Sequence, residues 1–340
     1  LLVNRAKLNP KRVVFAEADQ LDVLKAAQIV YDEGIAHPIL LGRRETILQL
    51  MEEIEFEADV QIIDPKSDEE EARKNKYAKV YWEQRKRKGV TLYSAQKIMR
   101  ERNYFAAMMV NEGDADALIS GFSRSYPSVV KPMLELIGLA KNATRIATTN
   151  LMMTQRGPMF LSDTSINIDP TAEDLAKIAQ MTARTVRMFG LEPVMAMISF
   201  GNFGSSPSPR TTKVRDAVKL LHESNPDLLV DGELQTDFAL NSEMLEEMFP
   251  FSKLVGKKVN TLIFPSLDSA NITYKLLKEL NKSESIGPIM MGMRKPVHIL
   301  QLDASVDEIV NMTAIAVIDA QQKERKELEL KASLENVSAS

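Results

Sequence analysis

The stretch 193–237, "PVMAMISFGNFGSSPSPRTTKVRDAVKLLHESNPDLLVDGELQTD", decides the fold class. Its opening, 193–200, is an apolar run of strand length, and "DLLVDGEL" at 227–234 is a second. Between them "TTKVRDAVKLLHESN" has the length and periodicity of an amphipathic helix. The same alternation extends outward. Strands are expected at 12–17, 37–42, 60–64, 116–121, 145–152, 158–163 and 260–266. A helix is expected over 170–190, with Pro170 and Thr171 at its start, acids in its first turn and Gly190 at its end. The segment 68–88 runs from acidic to basic, in the order that suits a helix dipole. The pattern predicts an α/β protein with mainly parallel strands. Residues 333–340, "SLENVSAS", read as a frayed tail.

Composition narrows the function. The 340 residues suggest roughly two domains. We expect domain I to be discontinuous, 1–148 plus 290–340, with 149–289 as domain II. An apolar content of 44% supports a sizeable core, and a net charge of −4 offers no basic field for nucleic acid. There is no cysteine, which excludes disulfides, thiolate metal sites and a cysteine nucleophile, and suits a cytoplasmic location. His37, His222 and His298 are too scattered for a histidine metal site. No apolar run reaches the roughly 18 residues of a membrane-spanning helix. No GxGxxG follows the first strand and no P-loop occurs, so no cofactor is expected in this chain. The first residue is Leu1, not Met, as in a piece of a longer polypeptide.

Several loops carry candidate chemistry. "SFGNFGSSPSPRTTKV", 199–214, joins a strand to a helix; Gly204, Ser205 and Ser206 could face an anion, or form an ordinary turn. "DGELQTD", 231–237, sets Asp231, Glu233 and Asp237 beyond a strand end, as ligand contacts, a weak metal site or helix caps. In "SGFSRSYPSVVKP", 120–132, Arg124 could grip a phosphate or carboxylate, or sit on the surface. The stretch 287–310, "GPIMMGMRKPVHILQLDASVDEIV", reads as a glycine- and proline-rich loop that brings backbone near a ligand. His298 within it reads as structural, and Met290, Met291 and Met293 as core.

Together "SG" at 120–121, "INIDPTAEDLAKIA" at 166–179, "LLVDGELQTD" at 228–237, "SANITYKL" at 269–276 and "GPIMMGMRKPV" at 287–297 resemble the phosphate acetyl/butyryltransferase family. The likeness implies an isocitrate/isopropylmalate dehydrogenase-like fold, two α/β domains with a cleft between them, and a homodimer or higher oligomer. Active members of that family transfer an acetyl group between coenzyme A and phosphate. A carboxylate deprotonates the thiol, while a serine and several arginines stabilise the developing charge.

This sequence departs from that pattern. Active members resemble "KPxNDLSRG" with a carboxylate six residues after the arginine, where this chain reads "KPVHILQLD" and then Glu308. Gln301 stands for the serine, Leu302 for the arginine, and His298 and Ile299 for the Asn-Asp pair. Glu279 falls where an active member has a ligand-binding arginine, Lys131 replaces another, and Arg85 matches a third. Leu302 can neither donate nor carry charge, and loss of one such donor typically costs about 10²–10³ in rate. The pattern is similar to the acyltransferase-like second half of hybrid malic enzymes. That likeness implies a non-catalytic, acetyl-CoA-binding regulatory and oligomerisation domain. A covalently linked malic enzyme half would decarboxylate malate oxidatively with NADP, or NAD, and a divalent metal, magnesium or manganese. The ligand-binding residues it implies are Arg85, Ser120, Arg124, Lys131, Gly204, Ser205, Ser206, Glu233 and Gln301. A working phosphate acetyltransferase and an empty scaffold are the competing readings.

Overall fold

The computed structural model describes residues 2–281, 284–302 and 304–338. It divides into two compact units, Leu1–Lys141 with Met293–Ser340, and Asn142–Gly292. In chain order the strands are β1 (Lys11–Phe15), β2 (Ala36–Leu41), β3 (Gln61–Ile63), β4 (Ala117–Ser120), β5 (Ala147–Thr154), β6 (Gly157–Ser162), β7 (Val194–Ile198), β8 (Leu229–Leu234), β9 (Thr261–Ile263), β10 (Ser285–Met291) and β11 (Val297–Ile299).

The first unit holds a sheet of order β11-β4-β1-β2-β3. All its neighbours pair parallel, with Val13 opposite both Pro38 and Ala117, and Ile299 opposite Ser120. Parallel pairing needs helical crossovers, and helices over a parallel sheet bury its strands on both faces. Val13, Val14, Phe15, Leu40, Leu41 and Leu118 are accordingly at 0% exposure. The helices Leu21–Asp32 and Arg44–Glu53 follow β1 and β2. The helix Val306–Ser338 packs on Leu21–Asp32 and on β1 and β4, burying Ile309, Ile315 and Ile318.

The second unit is a mixed sheet of order β10-β5-β6-β9-β7-β8. β5 pairs antiparallel with β6 and β10; β6, β9, β7 and β8 run parallel. Helix Ala172–Met188 begins with a reciprocal cap, in which Asp174 N–H donates to Thr171 Oγ1 and Thr171 N–H to Asp174. It packs Ile178 and Ala179 with Val214, Val218 and Leu221 of the helix Pro209–Ser224 against Met195 and Met197 of β7.

Two expectations need correction. The stretch 287–310 is not one loop: it supplies most of β10, all of β11 and the start of the helix from Val306. The Gly287-Pro288 pair that hid the strand falls where the β10 register shifts, between Ile286 and Ile289. β10 is an edge strand, and a bulge at an edge is where a sheet tolerates both residue types. The 333–340 stretch continues the last helix to Ser338, and residues 339 and 340 lie outside the described residues. Among the described residues no helix is long and apolar enough to cross a membrane.

Gly232, in the middle of β8, has φ +147°, and a Cβ there would sit 2.6 Å from the Met197 carbonyl oxygen. Gly34 also has positive φ, but nothing lies within 4 Å of its Cβ position. Thermal denaturation of Gly232→Ala should therefore show a loss of about 3 kcal/mol or more, against about 1 kcal/mol for Gly34→Ala. Equal losses would mean that the β7 contact imposes no constraint.

Candidate functional site

In a parallel α/β sheet ligands gather beyond the carboxyl ends of the strands. At that edge of the first unit the organising group is Glu17, just past β1 and only 1% exposed. Its Oε2 accepts the N–H groups of Gly121 and Phe122, both at 2.7 Å; its Oε1 accepts the Ser123 N–H at 3.1 Å and the Ser123 hydroxyl at 2.6 Å. The turn after β4 thus closes around a carboxylate. Gly121 has φ +101°, and a Cβ there would meet Ile299 Cγ2 at 2.7 Å, so the turn admits no side chain against β11. Ser120 is buried and donates its hydroxyl to Asn103 Oδ1 at 2.8 Å. Gln301 follows β11 beside it, because the Leu300 N–H donates to the Ser120 carbonyl at 2.8 Å. Leu302, the next residue, is 59% exposed.

Glu308, the carboxylate expected to act as base in an active enzyme, accepts the Ser305 N–H at 2.9 Å while its own N–H donates to Ser305 Oγ at 3.2 Å. This is a reciprocal helix cap at the start of the last helix. Arg85, at the end of the helix Glu71–Arg85, pairs with Glu135 at 3.2 Å. Glu135 also accepts the hydroxyls of Tyr81 at 3.2 Å and Tyr104 at 2.7 Å. Burial first, and then the Glu135 carboxylate, pushes both phenols up, so they stay protonated and act as donors. Arg85 Nε is buried without an acceptor among the described residues. Lys131 lies one turn before Glu135 on the helix Tyr126–Leu136, exposed. Arg124 is exposed and lines a cavity with Arg102. His298 is buried on β11, with Nε2 3.6 Å from Asp319.

In the second unit the 201–206 loop after β7 is held by Glu233 of β8, at 0% exposure. Glu233 accepts the Gly204 N–H at 2.8 Å and two bonds from Arg215, at 2.9 and 3.1 Å. Burial pushes this carboxyl up, but Arg215 and the Gly204 N–H outweigh burial and hold it below its ordinary value. The Ser205 N–H donates to the Asn202 carbonyl, and Ser205 Oγ accepts the Asn202 N–H. Gly204 and Ser205 therefore spend their N–H groups inside the protein, and Ser206 accepts a bond from Thr211 at its carbonyl. Asp231 instead accepts the Ser252 hydroxyl and the Lys253 N–H. The helix Thr236–Leu240 starts at Gln235, whose side chain makes no cap bond, while Asp237 in its first turn accepts the Phe238 N–H at 3.0 Å. No cluster of three or more potential ligands for a metal occurs among the described residues. Glu279 is exposed on the helix Leu267–Asn281.

The roles of Glu17 and Arg215 were not read from sequence; each depends on a partner 18 to 106 positions away. A depressed carboxyl stabilises the fold above its unfolded value and stops doing so as pH falls through its folded value. Glu233 should thus contribute at neutral pH and lose that contribution progressively below about pH 4.5. Melting curves of the parent chain and Glu233→Gln should converge as pH drops from about 6 to 3; parallel curves would remove Glu233 from the acid response.

The model of the phosphate acetyl/butaryl transferase family matches residues 1–317. The chain is 37% identical over 327 residues to the NADP-dependent malic enzyme of Haemophilus influenzae, covering 95% of this chain and 43% of that protein. It therefore spans less than half the length of this relative. It is also 37% identical over 327 residues to the phosphate acetyltransferase of Thermoanaerobacterium thermosaccharolyticum, covering 94% and 98% of the two chains. A solved phosphotransacetylase from Streptococcus pyogenes superposes with a TM-score of 0.86 at 35% identity, over 94% of this chain and 97% of that one. Sequence, length and superposition agree, and the chain belongs to the phosphate acetyl/butaryl transferase family.

Proposed function

We propose that this chain binds an acyl-CoA, with acetyl-CoA as the reference ligand, and does not transfer the acyl group. The observation that carries the reading is the pair Gln301–Leu302 beyond β11, beside the Ser120–Gly121 turn. An amide there can donate to a thioester carbonyl without activating it, and the exposed leucine supplies no donor for a developing oxyanion. Glu308 supports the same view, since its carboxylate accepts a backbone N–H in a helix cap. Lys131 and Arg124 are exposed cations able to meet CoA phosphates. The isocitrate dehydrogenase-like plan belongs to this reading.

In this reading the chain is the regulatory half of a malic enzyme. The linked half converts malate to pyruvate with NADP and magnesium or manganese, and acyl-CoA occupancy biases it through differential affinity for its states. The chain also pairs with a second copy. Ile272, Leu276 and Leu280, spaced by four on the helix Leu267–Asn281, are 64%, 55% and 73% exposed, an apolar stripe of the kind that covers itself in dimers. A second reading, an active phosphate acetyltransferase, is favoured by the near full-length match to the Thermoanaerobacterium enzyme.

Assay of acetyl transfer from acetyl phosphate to CoA separates the two. We expect no turnover, whereas a rate of about 1 s⁻¹ or more would establish the transferase. Calorimetry with acetyl-CoA should give saturable binding that Lys131→Ala weakens about tenfold, without a change in the ligand-free melting temperature. Sedimentation should give a dimer or larger assembly that Ile272→Glu with Leu276→Glu dissociates; a monomeric parent chain at micromolar concentration would end the oligomer reading.

A further inference from the structure

We propose that the second unit binds a small molecule bearing two or three carboxylates, in a groove at the amino edge of β8. Two cavities of about 370 and 480 Å³ meet there and share Gln180, Arg184, Ser224 and Asn225. Each volume falls in the usual range of small-molecule sites, roughly 300–1,000 Å³. Both lie wholly within the second unit. Leu228 in the wall directly precedes β8, so the groove opens at the end of that strand opposite to Glu233 and the 201–206 loop.

One wall is a single stripe of the helix Ala172–Met188. Lys177, Gln180, Arg184 and Arg187 are spaced by three, four and three, and so share one face of it. Little in the protein neutralises the three cations. Arg184 is exposed and has neither an ion pair nor a hydrogen bond among the described residues. Arg187 meets Glu192 at 3.6 Å, but that glutamate is 84% exposed, and such a pair is worth little. Lys177 donates to a neutral partner, Gln180 Oε1, at 3.3 Å. Among the described residues that line the groove, Asp227 is the one acid.

The other wall is the end of the helix Pro209–Ser224. A helix C-terminus ordinarily repels anions. Here three of the carbonyls at that end are already taken. Leu220 accepts the Ser224 hydroxyl at 2.6 Å, Leu221 accepts the Asn225 N–H at 2.8 Å, and Asn225 accepts the Leu228 N–H at 3.0 Å. Gln180 spans the groove, donating to Asn225 Oδ1 at 2.6 Å and to Ser224 Oγ at 3.2 Å. The protein itself thus ties the two walls together. Ala183 and Leu228, both buried, give the groove an apolar floor.

These features select carboxylates. A guanidinium fork matches a carboxylate bidentately. Arg184 and Arg187 lie one turn apart, about 5–6 Å between Cβ atoms, so each can take one end of a short diacid. The apolar floor suits the methylenes between the two ends, and Lys177, in the adjoining cavity, can take a third group. Phosphate sites draw instead on helix N-termini and nests of backbone N–H groups, and this groove is closed by a helix C-terminus.

This inference shares no residue with the acyl-CoA reading. The test is calorimetry of the full chain at low salt with succinate, tricarballylate, acetate and inorganic phosphate. Succinate and tricarballylate should bind saturably, and acetate and phosphate at least about tenfold more weakly. Arg184→Gln with Arg187→Gln should weaken succinate binding by more than about tenfold and leave the melting temperature unchanged, because both side chains are exposed. Asp227→Asn should tighten it by removing the one acid. Acetyl-CoA binding should be the same in the double variant as in the parent chain, so the two sites can fail separately. No saturable binding of either polycarboxylate up to about 50 mM, unchanged binding in the double variant, or acetate or phosphate binding as tightly as succinate would overturn the site.

Discussion

A buried carboxylate with four donors is the constraint on which the strand-end loops of the first unit depend. Glu17 leaves β1 and takes three consecutive N–H groups and a hydroxyl from the turn after β4. A carboxylate removed from water needs such compensation, and a turn with three inward N–H groups needs an acceptor. Each resolves the other's cost. The turn then fixes where Ser120 ends β4, and through the close approach of Gly121 it fixes how β11 and Gln301 lie beside it.

The second unit uses the same device on a different sheet. Glu233 lies on β8 and holds the loop after its neighbour β7, through the Gly204 N–H and Arg215. In both units a strand-end glutamate disciplines the loop of an adjacent parallel strand. Short acid–donor bonds across neighbouring strands give those loops a geometry that their own glycine- and serine-rich composition would not impose.

Local sequence was informative where structure is local. The apolar runs at 12–17, 37–42 and 193–200 correspond to β1, β2 and β7 because a doubly covered parallel strand must be apolar throughout. Thr171 and Asp174 announced the start of their helix because a cap acts over three residues. β10 was obscured by Gly287 and Pro288, whose bulge only makes sense once β5 is known to be its partner. The site was less legible for the same reason. Arg85 is a charged residue on a helix until Glu135, Tyr81 and Tyr104 are brought to it, whereas the Ser305–Glu308 cap, in which each backbone N–H donates to the other side chain, spans three residues and is local. Pairings across 50 to more than 100 positions carry no mark in either segment alone.

The division of the first unit into two chain segments bears on synthesis. Asn142–Gly292 is contiguous, so its sheet can close as soon as it leaves the ribosome. The other unit cannot: β11 and the helix Val306–Ser338, which packs on β1 and β4, are made only after the inserted unit. While translation runs through the inserted unit, the nascent β4 edge has no neighbour and the apolar faces above β1 have no cover. An open parallel edge of this kind is a template for foreign strands. The chain thus spends the translation time of about 150 residues with that edge waiting for β11.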